Sequence, residues 1–283
     1  MEIEPEGSFE APFEMRSREV DAASGKAVIS YLICEPLESA GFINAFSTRT
    51  GGVSSLPSDS LNLSLFKGDT KENVQENRRR FLQALGAERH AIVTAHQTHS
   101  TKLCRIDSAG QDGLDCDALS TRLSHTLIGV QTADCLPILI ADPKTKTAAA
   151  IHAGWRGTAG RITERAVASL MQSGLDPRNS IAALGPCACA DCYEVGSDVI
   201  DLYKKEFGYW RYLLSKFTDD GKAHLDIQAA NIQQLEFCGF DEDRIHVAPH
   251  CTMHNNDLFF SYRREGNGQP SKVGRLLSVI GKS

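Results

Sequence analysis

The chain has 283 residues, 41% hydrophobic and 23% charged, an ordinary globular composition with enough length to bury a substantial core. Its formal charge of −6 and the lack of a basic stripe argue against a general nucleic-acid binder, and no apolar run reaches the length of a membrane span. The first residues, Met-Glu-Ile-Glu-Pro-Glu-Gly, lack the basic and apolar regions of a secretory signal, so a cytoplasmic location is expected. Nine cysteines, an odd number, then point to free thiols rather than a disulfide framework.

Residues 1–25 are polar and unpatterned and are expected to form a loosely ordered leader ahead of a single domain over 26–283. Ala27–Ile33 and Gly41–Ser47 read as strands. The following turn, Thr48–Ser55, is rich in glycine and carries Arg49; it suits an anion held on backbone N–H groups and a guanidinium, or a plain surface loop. Glu72–Leu85 has a helical stripe of Val74, Phe81, Leu82 and Leu85, and its Arg78–Arg80 run reads as a solvated face.

Strands follow at Ile92–Ala95, Lys102–Ile106, Thr126–Val130, Leu136–Ala141 and Ala148–Ile151. A helix is expected over Thr158–Met171, a strand at Ile181–Leu184, and helices at Ser197–Phe207 and Ile227–Phe237. A strand at Arg244–Ala248 and a basic tail close the chain. With no repeat or linker, this pattern predicts one α/β (α+β) domain of mixed strands and helices.

Chemistry concentrates at strand ends. His99, Cys135 and His152 each lie at the end of a different expected strand. A thiolate and two imidazoles suit Zn²⁺ and leave a fourth position for water or substrate; Cys135 and His152 also suit a nucleophile–base pair. Gly154 and Gly157 permit a tight strand-to-helix turn around Trp155 and Arg156. Asp134 reads as a general acid, or as a partner orienting Arg156 or a ligand histidine. Cys187, Cys189 and Cys192 hint at a metal knot, but a closed site needs a fourth ligand and a paired second half, so a structural role is expected. His246, His250, Cys251 and His254 read as incidental. The sequence has no His-x-His pair, which disfavours a multicopper centre.

Taken in order, these segments resemble the YfiH family of laccase-domain proteins, also labelled polyphenol oxidoreductases. The resemblance rests on Ser47–Ser54, Leu61–Leu63, Asn77-Arg78, Gln97–His99, Asp117-Ala118, Thr132–Pro137, His152–Gly157, Gly185-Pro186, Cys192–Gly196, Cys251-Thr252, Phe259–Arg264 and Gly274-Arg275. It implies two mixed β-sheets packed together with helices outside, similar to the catalytic domain of cytotoxic necrotizing factors. It further implies one zinc ion on His99, Cys135 and His152, with Cu²⁺ less favoured.

The activities implied are purine nucleoside phosphorylase, adenosine deaminase and methylthioadenosine phosphorylase, on adenosine, inosine, guanosine and methylthioadenosine. Arg49 matches a family arginine and becomes the expected phosphate contact; Asn62, Gln97 and Arg156 complete the expected substrate-binding set. The expected partners are purine nucleosides and phosphate, not nucleic acid or membrane. The sequence departs from the family pattern at Thr98, Ser100 and the Cys187–Asp191 loop, none of which removes a ligand. Alternatives are a metal-free Cys135–His152 amide hydrolase of the kind used in peptidoglycan editing, a metal-stabilised binding protein, and a copper-dependent polyphenol oxidase.

Overall fold

Leu136–Asp142 and Thr147–Ala153 are buried at every residue, which demands cover on both of their faces. The computed structural model describes residues 12–23, 25–56, 59–65, 68–111, 113–266, 269 and 272–283, and shows how that cover is built. In chain order the strands are β1 (Phe13–Ala22), β2 (Gly25–Cys34), β3 (Phe42–Ser47), β4 (Thr50–Ser54), β5 (Ala91–Thr94), β6 (Leu103–Ile106), β7 (Ala118–Thr121) and β8 (Thr126–Thr132). They continue with β9 (Leu136–Asp142), β10 (Thr147–Ala153), β11 (Ile181–Leu184), β12 (Glu194–Val195), β13 (Leu214–Ser215), β14 (Ala223–Leu225), β15 (Ile245–Val247) and β16 (Leu276–Lys282). The α-helices are α1 (Glu35–Ser39), α2 (Lys71–Ala84), α3 (Trp155–Ala159), α4 (Ile162–Gln172), α5 (Ser197–Glu206), α6 (Ile227–Phe237) and α7 (Tyr262–Glu265).

Two mixed six-stranded sheets form, in the orders β1-β2-β3-β16-β8-β5 and β15-β11-β9-β10-β7-β6. The side-chain alternation of each strand sorts the core into three layers. Ile138, Ile140, Ala149 and Ile151 join a cluster with Val167, Leu170, Ile200, Tyr203 and Leu235 of α4, α5 and α6. Leu139, Ala141, Ala148 and Ala150 point the other way, against Ile128, Val130, Phe46 and Ile280 of the facing sheet. Beyond that sheet, Leu127, Leu277 and Val279 pack with Phe81 and Ala84 of α2. The result is a single mixed α/β domain of two packed sheets flanked by helices, as expected. No helix among the described residues is long and apolar enough to cross a membrane.

Three segments differ from the sequence reading. Part of the expected leader, Phe13–Ala22, is a strand paired over its full length with β2. Only Phe13 and Val20 of it are buried, so the pairing is held by backbone hydrogen bonds, and its polar side chains left no apolar period to detect. Charges on this edge strand, such as Arg16 paired with Glu14 and Glu38, discourage further strand addition. The expected basic tail contains β16, which lies between β3 and β8 inside its sheet. The helix expected over Thr158–Met171 is two helices, broken at Arg161 (φ 65°), whose guanidinium stacks on Phe207.

Candidate active site

Antiparallel pairing of β9 with β10 opposes Leu136 to Ala153 and Pro137 to His152, so Cys135, one residue before β9, emerges beside the end of β10. His152 continues the face of Ala148 and Ala150 past the end of the packed core, into the opening between the sheets. His99 arrives on the loop that leads into β6. The ligand atoms of His99, Cys135 and His152 all lie within 4.8 Å of one another. Cys135 Sγ is 4.0 Å from His99 Nε2, and the two imidazoles meet edge to face with centroids 5.0 Å apart.

Asp117, immediately before β7, organises this cluster. Its carboxylate accepts from Nδ1 of His152 at 2.8 Å, from the backbone N–H groups of Thr98, His99 and Ser100, and from the Ser100 hydroxyl. His99 has a left-handed backbone (φ 59°), and these bonds hold the turn in that conformation. Burial opposes ionisation of Asp117, yet the hydrogen bonds from His152 and Ser100 keep it well below the usual carboxylate range. Burial likewise pushes the Cys135 thiol up, but the His152 and His99 imidazoles overcome this and draw it down to about 6. His152 is pushed down by burial and lifted more strongly by the Cys135 thiolate and Asp117, to about 9.

The donor set fits Zn²⁺: one thiolate, two imidazoles, and a carboxylate that takes Nδ1 of His152 and leaves Nε2 for a metal. Gly154 closes one side of the cluster. A Cβ there would stand 2.7 Å from His99 Cδ2 and 3.1 Å from Cys135 Sγ. The three residues lie in the wall of a cleft of about 930 Å³ that is also lined by Arg78, Trp155, Arg156, Tyr193, Tyr262, Arg263 and Arg275.

Residues 43–283 match the family described as multi-copper polyphenol oxidoreductase laccase. The chain belongs to this family. A protein named adenosine deaminase RL5, from an unknown prokaryotic organism, is 36% identical over 236 residues, covering 79% of this chain and 89% of that protein. A purine nucleoside phosphorylase of Deinococcus radiodurans is 36% identical over 238 residues, covering 84% of this chain and 88% of that one. The crystal structure of Bacillus licheniformis hypothetical protein YfiH superposes with a TM-score of 0.82 at 28% identity, over 89% of this chain and 96% of that one.

Within this laccase-domain chain the expected substrate contacts separate into those that line the cleft and those that do not. Arg49 is not among the lining residues. It is buried, paired with Glu265 at 2.8 Å, donates to the Asn256 carbonyl at 2.7 Å and stacks over Phe260. Its guanidinium is engaged as an internal strut in this structure. Asn62 is fully buried and ties its own loop together, donating to Ser64 O and Asp69 and accepting from Arg275 N–H. It too lies away from the lining. Gln97 does line the cleft, but its amide pairs with both backbone groups of Gln131, like an added rung of the sheet.

Arg156 lies on the cleft wall and stacks on Trp155, 3.9 Å from the ring centroid. It makes no ion pair with Asp134 among the described residues. Asp134 lines the cleft with a left-handed backbone (φ 87°), and its two oxygens accept from the Thr252 hydroxyl and the Arg263 N–H. A carboxylate so occupied anchors the loop before Cys135. The carboxylate that orients His152 is Asp117, which only its place in the Asp117-Ala118 motif had signalled.

The three arginines read as one solvated face take three roles. Arg79 pairs with Glu76 at the surface, buried Arg80 bonds the Gly51 carbonyl, and Arg78 lines the cleft.

Proposed function

We propose that this laccase-domain chain processes purine nucleosides, by phosphorolysis of adenosine, inosine, guanosine and methylthioadenosine and by deamination of adenosine. The observation that carries the reading is the His99–Cys135–His152 cluster opening into a cleft that also presents Arg78. The names of the relatives, purine nucleoside phosphorylase and adenosine deaminase, support the same substrates. Zinc held by His99, Cys135 and His152 would supply a Lewis acid to the cleft.

Phosphorolysis joins a phosphate oxygen to C1′ as the bond from C1′ to the purine nitrogen breaks; the electron pair leaves on the base, which takes up a proton. It needs a fixed positive charge for phosphate. Arg78 donates to the Leu63 carbonyl, has no carboxylate partner among the described residues, and is held below its ordinary pKa by burial. An anion beside it restores the charge compensation that burial removes. Arg78 therefore takes the role first assigned to Arg49. Trp155, Tyr193 and Tyr262 offer aromatic faces for the base, and Asp117 keeps His152 in one orientation throughout.

Incubation of the purified protein with adenosine, with and without phosphate, tests the proposal. Adenine and ribose 1-phosphate formed only with phosphate establish phosphorolysis, and inosine formed without phosphate establishes deamination. Absence of both, at full zinc occupancy of the cluster, refutes the reading.

A second reading has its own observation. The lowered Cys135 thiol, raised His152 and Asp117 carboxylate form a chain suited to a metal-free cysteine amide hydrolase. Cleavage of a peptidoglycan peptide amide that survives exhaustive chelation, and is lost in Cys135→Ala, would favour it.

A further inference from the structure

A second group of metal-ligating side chains lies outside the cluster already described. Cys189, Cys192, Cys251 and His254 bring one ligand atom each within 4.8 Å of one another. We propose that these four residues bind a structural zinc ion in a closed Cys₃His site.

The paired half that the Cys187–Cys192 segment lacked is supplied by a distant loop. Cys189-Ala-Asp-Cys192 is a C-x₂-C element and Cys251-Thr-Met-His254 is a C-x₂-H element. Both have the spacing that lets one tight turn offer two ligands to a tetrahedral ion. The turn at 189–192 is formed, with the N–H groups of Cys192 and Tyr193 both donating to the Cys189 carbonyl. The two loops are already registered by a parallel bridge between Cys187 and Cys251, in which Thr252 N–H donates to the Cys187 carbonyl.

Distances within the group suit one ion. Cys192 Sγ is 3.1 Å from His254 Nε2, and one ligand atom from each of the four residues lies within 4.8 Å of the other three. A tetrahedron with Zn–S bonds of about 2.3 Å has edges of roughly 3.7 Å, which small side-chain adjustments reach from here. The surroundings are those of a thiolate ligand. Cys251 is buried, and its Sγ accepts the Cys189 N–H at 3.4 Å. His224 Nδ1 donates to the Ala190 carbonyl (2.9 Å), and Lys216 pairs with Asp191, so the tip of the first turn is held from outside. All four ligands belong to this chain, which fills a tetrahedral shell and leaves no open position for substrate.

The site clamps two loops that shape the cleft. Tyr193, next to Cys192, lines the cleft. Thr252, next to Cys251, donates to Asp134, and Ala188 N–H donates to the Asp134 carbonyl. An ion here would hold the peptide that precedes Cys135 without touching substrate.

The test uses the full chain with Cys135→Ala, which removes a ligand of the cleft cluster and leaves the four proposed ligands intact. Reduced protein freed of metal is titrated with Co²⁺ and, separately, saturated with Zn²⁺ and assayed for metal after desalting. One equivalent of Co²⁺ showing intense thiolate charge-transfer absorption and tetrahedral visible bands, with one retained zinc, is expected. Adding Cys189→Ser and Cys192→Ser should abolish both signals. No metal retained by the Cys135→Ala protein overturns the proposal, as does an unchanged signal after the two serine substitutions. A Cys189–Cys192 disulfide found by mass spectrometry in protein trapped directly from cells also overturns it. If the serine variant fails to fold, the cobalt spectrum of Cys135→Ala still decides. None of these readouts depends on nucleoside turnover.

Discussion

Asp117 holds His152 twice. Its carboxylate accepts from the ring Nδ1 at 2.8 Å, and its backbone carbonyl accepts the His152 N–H at 2.7 Å. The same carboxylate gathers the N–H groups of Thr98, His99 and Ser100, so one buried side chain positions both histidines of the cluster.

Asp117→Asn should therefore weaken the cluster more than the fold. The amide still offers one acceptor, but it loses the negative charge that steadies His152 and places an NH₂ against backbone donors. Zinc affinity at the cleft cluster should fall by about 10- to 100-fold. Each backbone donor left unsatisfied should cost about 1–3 kcal/mol of stability. Competition against a chelating dye and urea denaturation measure the two effects; unchanged zinc affinity would show that Asp117 has only a structural role.

Much of the cluster was legible in the sequence, because His99, Cys135 and His152 are metal-ligating residue types set in or beside the apolar runs that form strands. Asp117 was not legible as a functional residue. An aspartate before a short strand looks like turn chemistry, and its role follows from the pairing of β7 beside β10, which no local pattern encodes. The internal pairing of Arg49 was hidden for a related reason. The Gly-Gly turn beside it is a genuine local signal, but the direction of the guanidinium is decided by Glu265, more than two hundred residues downstream. β1 escaped detection because an edge strand exposed on both faces carries no apolar period. The Cys189–Cys192 turn looked incomplete until the fold brought Cys251 and His254 beside it.

Gly154→Ala tests how tightly the cluster is packed. The backbone at Gly154 (φ −78°, ψ 169°) accepts any residue, so the consequence is steric. The added methyl would meet His99 Cδ2 at 2.7 Å and Cys135 Sγ at 3.1 Å, and one of the two must move. Overpacking of this kind costs about 1–3 kcal/mol, here drawn from the geometry of the cluster, so zinc affinity should fall by about 10- to 100-fold. Cobalt spectra of the cleft site should lose tetrahedral intensity. An unaltered spectrum would mean that the loop at His99 yields freely.

Arg49 and Arg78 should separate cleanly in kinetics and stability. Arg78→Met removes the cleft guanidinium proposed to meet phosphate, and loss of a charged hydrogen bond worth about 1.5–3 kcal/mol should raise the KM for phosphate about 10- to 100-fold. Phosphate-independent deamination should change little. Arg49→Met instead breaks the pair with Glu265 and the bond to the Asn256 carbonyl, and should cost about 2 kcal/mol of stability, since Glu265 retains some solvent. Its phosphate KM should stay near the parent value. The reverse pattern would return the phosphate contact to Arg49.

Glu76 gives a signed pH dependence away from the cleft. Hydrogen bonds from Arg79 and Arg80 outweigh its partial burial and hold its carboxyl down at about 2. The folded protein thus binds this proton less readily than the unfolded chain. The stabilisation is fully present above the unfolded value, about 4.3, and is lost as pH falls through about 2. Arg80 is itself buried and donates to the Gly51 carbonyl, so Glu76 also supplies the carboxylate of an otherwise uncompensated internal cation. In urea unfolding, Glu76→Gln should have the lower midpoint above about pH 5, and the two proteins should converge as the pH approaches 2. A gap that stays constant across that range would mean that the stabilisation does not come from the ionised carboxylate.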